Sequence, residues 1–318
     1  MNGYQKMGAQ MSSLAIGLGV VVMAVVGCES DESTKTAPDG AITTRPRDDG
    51  GDPPDAWVKP PALGGGQDKV ERSRYLADLE FIAKERTPDS AHWMAVQDLC
   101  YDRFTDLGFE TEREDYGSGV NVIGRLPGKD KANEQVIISA HYDHIPGCLG
   151  ADDNASGVAG VLEAARVLAM SDHSRTLVVA CWDEEETGAH GSIAYATDAK
   201  KANADIAVSF VLEMIGYKSD EPNSQTIPPG FDLLFEEQTK VVAANQNRGD
   251  FIALVGDQSA HNALVALGEA AKAIDLPAAE LEVLGALKNN AALADLRRSD
   301  HAPFWAADYP AIMITDTA

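Results

Sequence analysis

The chain has 318 residues, 44% of them hydrophobic and 6% aromatic, with 26 Lys+Arg against 50 Asp+Glu for a formal charge of −24. That composition supplies one large core and excludes a collagen-like, fibrous or wholly disordered chain. The acid excess argues against nucleic acid as a partner, since nothing in bulk would neutralise phosphates, and four cysteines are too few for a disulfide scaffold.

Residues 1–27 read as a signal peptide. Lys6 is their only charge, and the apolar run from Leu14 to Val26 is too short for a stable membrane span. The run ends in Val25-Val26-Gly27-Cys28, which resembles the lipobox of bacterial lipoproteins, with Cys28 as the lipidated residue. Residues 28–66 then form a tether. Six prolines and six glycines among residues 29–66, with few apolar residues, cannot bury enough surface to fold. The expected product is exported and lipid-anchored to the bacterial cell envelope, on its periplasmic or cell-surface side.

The globular domain is expected over 67–318. Residues 68–84 and 89–107 read as amphipathic helices, the second after an Asp89-Ser90 cap signal. Phe109–Glu114 and Asn121–Arg125 alternate like strands, and Val136–Ala140 is an apolar run of the buried-strand type. Residues 155–170 place Val158, Val161, Leu162, Ala165 and Leu168 on one helical face. Thr176–Cys181, Ala207–Leu212, Phe251–Val255 and Ala311–Thr315 are again strand-like, with helices between several of them. This alternation predicts a single α/β domain whose central mixed, mostly parallel sheet is flanked by helices on both faces. Functional groups in such sheets collect where strands end.

Four polar clusters sit at those places. His141-Tyr142-Asp143 follows the first buried strand; residues i and i+2 share a side, so the carboxylate can orient the imidazole. Taken alone, this pair reads equally as a surface histidine near a solubilising acid. Asp152-Asp153-Asn154-Ala155-Ser156-Gly157 leads into a helix, where the acids could cap the helix or hold cations. Asp183-Glu184-Glu185-Glu186 ends another strand, and four adjacent acids repel one another unless water or cations compensate. Glu213 ends the run Phe210-Val211-Leu212, before Met214-Ile215-Gly216-Tyr217.

In this order the clusters, with Ser299-Asp300-His301-Ala302-Pro303-Phe304, resemble the co-catalytic dizinc aminopeptidases. That family spans bacterial leucyl aminopeptidases and, more distantly, glutamate carboxypeptidases and the transferrin-receptor ectodomain. The resemblance runs from about Tyr75 to Ala318. It implies that His141 binds one zinc with Asp143 as its orienter, that Asp153 bridges two zinc ions, and that Glu186 serves the second. Glu213 falls where the first zinc takes its remaining carboxylate, one methylene longer than the Asp of many relatives. Glu185 is implied as the general base. Asp152, Tyr217 and His301 are implied to lie beside the substrate pocket or behind the ligands. In the family the second zinc takes a histidine from a segment beyond the last strand, reading His-Thr-x-x-Asp-Thr. The sequence given reaches Ala318 before such a segment, so the expectation is a C-terminally truncated copy whose second zinc has Asp153 and Glu186 but no histidine.

The activity so implied is hydrolysis of the N-terminal peptide bond of peptides with a free amino group, with two zinc ions activating a shared water and Glu185 taking its proton. Histidine plus carboxylates suits zinc better than calcium or magnesium. Two other readings share the frame: a metal-free ectodomain used only for binding, and a single-zinc enzyme of the glutaminyl-cyclase kind. Of the other cysteines, Cys181 reads as a small core residue, Cys148 lies in the loop between His141 and Asp153, and Cys100 completes an odd set of three.

Overall fold

Val136, Ile137, Ile138 and Ala140 are consecutive or alternate apolar residues, so a strand built from them must be covered on both faces. The computed structural model, which describes residues 66–316, builds that strand into the middle of one eight-stranded sheet. The expected signal peptide, Cys28 and the tether up to residue 65 lie outside the described residues.

The strands are β1 (Glu110–Asp115), β2 (Val120–Leu126), β3 (Lys131–His141), β4 (Arg175–Trp182), β5 (Asp205–Glu213), β6 (Ile252–Asp257), β7 (Ala278–Val283) and β8 (Ala311–Thr315). They lie in the order β1-β2-β4-β3-β5-β8-β6-β7. Strands β4, β3, β5 and β8 run parallel to one another, as do β6 and β7; β1 with β2, β2 with β4, and β6 with β8 pair antiparallel. The mixed, mostly parallel sheet expected from the sequence is therefore present. The expected strands are all found within a few residues of their predicted limits; β7 is an additional edge strand that pairs with β6.

The helices are α1 (Arg72–Ile82), α2 (Ala91–Asp106), α3 (Gly157–Leu168), α4 (His190–Ala202), α5 (Phe231–Leu234), α6 (Glu236–Ala244), α7 (His261–Ala273) and α8 (His301–Ala306). The cap signal before α2 holds: Ser90 Oγ accepts from Trp93 N at 3.1 Å, satisfying one of the free N–H groups of the first turn. Strand parity then divides two cores. Val136, Ile138 and Ala140 join Leu79, Val96, Phe104, Val161 and Leu264 from α1, α2, α3 and α7 on one face. Ile137 and Trp182 join Tyr195, Phe304 and Trp305 from α4 and α8 on the other. Cys181 and Cys100 are both fully buried, free, and meet on the first face.

The consequence for function is positional. Because β3, β4, β5 and β8 are parallel, their C-terminal ends share one edge of the sheet, where His141 pairs with Trp182 and Glu213 with Thr315. The four polar clusters of the sequence leave the sheet together there.

Candidate metal centre

The turn before α3 explains its own sequence. Asn154 Nδ2 donates to Leu212 O at 2.8 Å, and its Oδ1 accepts from Gly157 N and Met214 N. Ser156 Oγ donates to Asp152 O and accepts from Ile215 N, while Asp152 Oδ1 accepts from Gly216 N at 2.8 Å. Gly157 is required by space: a Cβ there would lie 2.6 Å from Leu212 O. Asp152, Asn154 and Ser156 thus fasten this turn to the exit of β5, which leaves Asp153 free to face the other clusters.

His141 is fully buried at the end of β3. Its Nδ1 lies 3.3 Å from Asp143 Oδ1, and its Nε2 lies 3.1 Å from Asp153 Oδ1 and 3.5 Å from Glu213 Oε2. Burial alone would keep this imidazole neutral, but Glu213, Asp143 and Asp153 outweigh it and raise it well above its ordinary value. Asp153 shows the reverse balance: burial would raise it, yet His141, His144 and Arg86 hold its carboxyl below the usual range. Asp143, also buried, accepts from Glu185 N at 3.0 Å and Glu186 N at 3.2 Å, so one carboxylate orients the imidazole and fixes the acidic loop after β4.

Two groups of donors result. His141, Asp153 and Glu213 each offer an atom within 4.8 Å of the others, and so do His144, Asp153 and Glu186. Asp153 belongs to both. The expectation for the second group was two carboxylates and no histidine; in the fold the chain beyond β3 turns back and brings His144 Nδ1 to 2.5 Å from Glu186 Oε1. The only signal in the sequence was the position of His144 three residues after His141.

The acidic run after β4 divides its labour. Asp183 accepts from Trp93 Nε1 and Val120 N, pinning the loop to α2 and β2. Glu184 turns outward, accepting from Ser118 Oγ at 2.6 Å and Tyr116 Oη at 3.2 Å. Glu185 turns inward. Burial, with the charges of Asp300, Glu213 and Asp143 and against that of His141, pushes its carboxyl up to about 9.

From the stretch before α8, Ser299 and Asp300 reach the centre, and neither was singled out from the sequence. Ser299 Oγ donates to Glu213 Oε2 at 2.6 Å. Asp300 is fully buried, accepts from Ser192 Oγ at 2.5 Å, and is pushed up to about 7 by burial and the nearby Glu213 and Asp143. His301 was expected beside the substrate pocket or behind the ligands. It is fully buried, its Nε2 against Leu296 O at 2.8 Å and its ring edge-on to Trp305, and burial pushes it down to about 4. Successive residues of a helical turn point about 100° apart, so Asp300 can face the centre only if its neighbour does not. Tyr217 is 41% exposed beyond the β5 exit, with its N–H on Asp316 Oδ2, a placement open to solvent rather than packed behind the ligands.

Arg86 was also missed. Fully buried, it donates to the backbone carbonyls of Tyr142 (2.8 Å), Leu149 (2.8 Å), Gly150 (2.9 Å) and Asp153 (3.2 Å), closing the loop that carries His144 and Asp153. Cys148 is exposed in that loop and belongs to neither donor group.

The centre fits a pair of cations on its own geometry. His141 Nδ1 and Nε2 and Asp153 Oδ1 lie at ion-pair distance from their neighbours but, like Asp300 Oδ2, make no aligned hydrogen bond, and buried polar atoms are rarely left so. Six carboxylates (Asp143, Asp153, Glu185, Glu186, Glu213 and Asp300) converge on two histidines and one arginine, an imbalance that dications would relieve. The imidazole–carboxylate donor set suits zinc. No helix among the described residues is long and apolar enough to cross a membrane.

Comparison with known proteins agrees. The profile of peptidase family M28 matches residues 121–252, which hold every donor of both groups. Escherichia coli K12 YfbL is 35% identical over 194 residues, 58% of this chain and 55% of that protein. Leucine aminopeptidase 1 of Neurospora crassa is 37% identical over 155 residues, 44% of this chain and 38% of that protein, so the alignments span about half or less of these relatives. The crystal structure of the Legionella pneumophila LapA aminopeptidase superposes with a TM-score of 0.57 at 17% identity, over 80% of this chain and 63% of that one, and shares the fold. The part of the chain that carries both donor groups, residues 121–252, is therefore similar to peptidase family M28, in line with the resemblance of its ordered clusters.

Proposed function

We propose that this protein is a zinc-dependent aminopeptidase that hydrolyses the N-terminal peptide bond of peptides with a free amino group. The observation that carries the reading is the pair of donor groups sharing Asp153, with Glu185 buried beside them. Two bound zinc ions would supply Lewis-acid polarisation of the scissile carbonyl and an activated water. His141, Asp153 and Glu213 would hold one ion, and Asp153 with Glu186 would hold the other. Asp143 keeps the His141 ring in place and, through Glu185 N and Glu186 N, fixes the loop that bears the base. Glu185 is the group to accept the proton of the attacking water and return it to the leaving amine. Its surroundings hold a proton tightly in the absence of cations, and added positive charge lowers that hold towards the operating range.

The free amino group of a substrate is a cation, and the surplus carboxylates beside the donor groups favour it over a blocked terminus. A binding-only ectodomain is disfavoured by the same surplus, because clustered unpaired acids destabilise a fold that makes no use of them. The lipobox-like Cys28 and the Pro/Gly-rich residues after it support an exported protein held at the cell envelope through lipid.

The test is hydrolysis of leucine p-nitroanilide by the purified, zinc-reconstituted chain. Activity that requires zinc, is removed by a chelator, and is lost on the N-acetylated substrate is expected. Equal cleavage of free and acetylated substrates would defeat the exopeptidase reading, and no zinc-dependent cleavage of either would defeat the enzyme.

A further inference from the structure

The two donor groups are built alike, each with one glutamate and the shared Asp153, and each with one imidazole within 4.8 Å. In the first group that imidazole is His141, and in the second it is His144, only 6% exposed and 2.5 Å from Glu186 Oε1. The position of His144 is constructed by its surroundings. Gly150 lies under the ring with φ of +51°, and a Cβ there would come within 2.6 Å of His144 Cδ2 and 2.3 Å of Asp153 O. Only a residue without a side chain can occupy that backbone conformation and leave the space to the imidazole. Arg86 then ties Gly150 O and Asp153 O together from below, so the segment between His144 and Asp153 is fastened where both side chains converge.

We propose that His144 is a ligand of the second metal, completing a His-Asp-Glu set that mirrors His141, Asp153 and Glu213. The proposal rests on the two-metal reading above and deepens it. The competing account is that His144 only hydrogen-bonds Glu186 and helps hold the loop. A glutamine at 144 separates the two, because its amide can still donate to Glu186 whereas it is a poor zinc ligand.

The experiment measures zinc per chain by elemental analysis after dialysis, with affinity from chelator competition, for the wild-type chain, His144→Gln and His141→Gln. The expected contents are two zinc ions in the wild type and one in each variant, with the second ion in His144→Gln weakened by about 100-fold or more. X-ray absorption on the two-zinc wild type needs no variant to fold and should return one imidazole per zinc. Two tight zinc ions in His144→Gln, or half an imidazole per zinc in the wild type, would overturn the role of His144 and leave the two-metal centre standing. A wild type that retains one zinc or none would overturn both readings.

Discussion

Replacing Arg86 with Met tests whether the metal-bearing loop is held by one buried side chain. The substitution removes three short bonds, to Tyr142 O, Leu149 O and Gly150 O, each between 2.8 and 2.9 Å. A bond from a charged donor contributes about 2 kcal/mol, so the gross loss is about 6 kcal/mol. Against this stands the cost of burying the charge. Burial, partly offset by Asp143, Asp153 and Glu186, pushes the guanidinium from 12.5 down to about 10, a burden of about 3 kcal/mol that the methionine does not carry. The net expectation is a loss of about 3 kcal/mol, or about 6–12 °C in melting temperature for a domain of this size. Thermal and urea unfolding of the metal-free chain measure it directly, and Arg86→Lys, which keeps a charge but cannot fork across three carbonyls, should recover part of the loss. An Arg86→Met chain that melts within about 2 °C of wild type would refute the assignment of loop closure to this residue.

Glu185→Gln should keep the zinc content of the wild type while turnover falls by about 100-fold or more, the scale of a lost general base; an active Glu185→Gln enzyme would overturn that role. His301 gives a pH prediction with a definite sign. Because burial lowers its value from 6.5 to about 4, the folded state resists a proton that the unfolded chain accepts, so its contribution is present above pH 6.5 and lost as pH falls towards 4. That contribution is about 3 kcal/mol, and urea unfolding of His301→Gln between pH 7 and 4 should lose correspondingly less stability than wild type; parallel curves would refute it. Cys28→Ser should release the native protein from detergent-extractable membranes or leave it unprocessed, and equal membrane retention of both forms would count against the lipid anchor.

Much of this architecture was legible in the residues themselves. Runs such as Val136–Ala140 and Phe210–Leu212 announce strands covered on both faces, because apolar residues at both odd and even positions leave no solvent side. Ser90 announced the start of α2 because its hydroxyl meets a need local to one helical turn. The ordered acids and His141 were legible for the same kind of reason: chemistry that requires carboxylates at strand exits leaves them adjacent to apolar runs.

The sequence by itself therefore determined seven of the eight strands, the sheet type and which clusters would meet, since those depend on periodicity and on parallel strands sharing one edge. Only the tertiary structure decided which member of each cluster faces inward. Glu184 and Glu185 are equivalent as letters, and the contacts of Glu184 with Tyr116 and Ser118 across the sheet turn one out and leave the other in. His301 was the visible residue of its stretch, yet Ser299 and Asp300 reach the centre, because the direction of a side chain at a helix start follows from how that turn packs on β5 and α4. Arg86 and His144 were the least legible of all. Their partners lie 56 to 67 residues away for Arg86 and 42 away for His144, and no local pattern encodes a contact that exists only when the loop between them has closed.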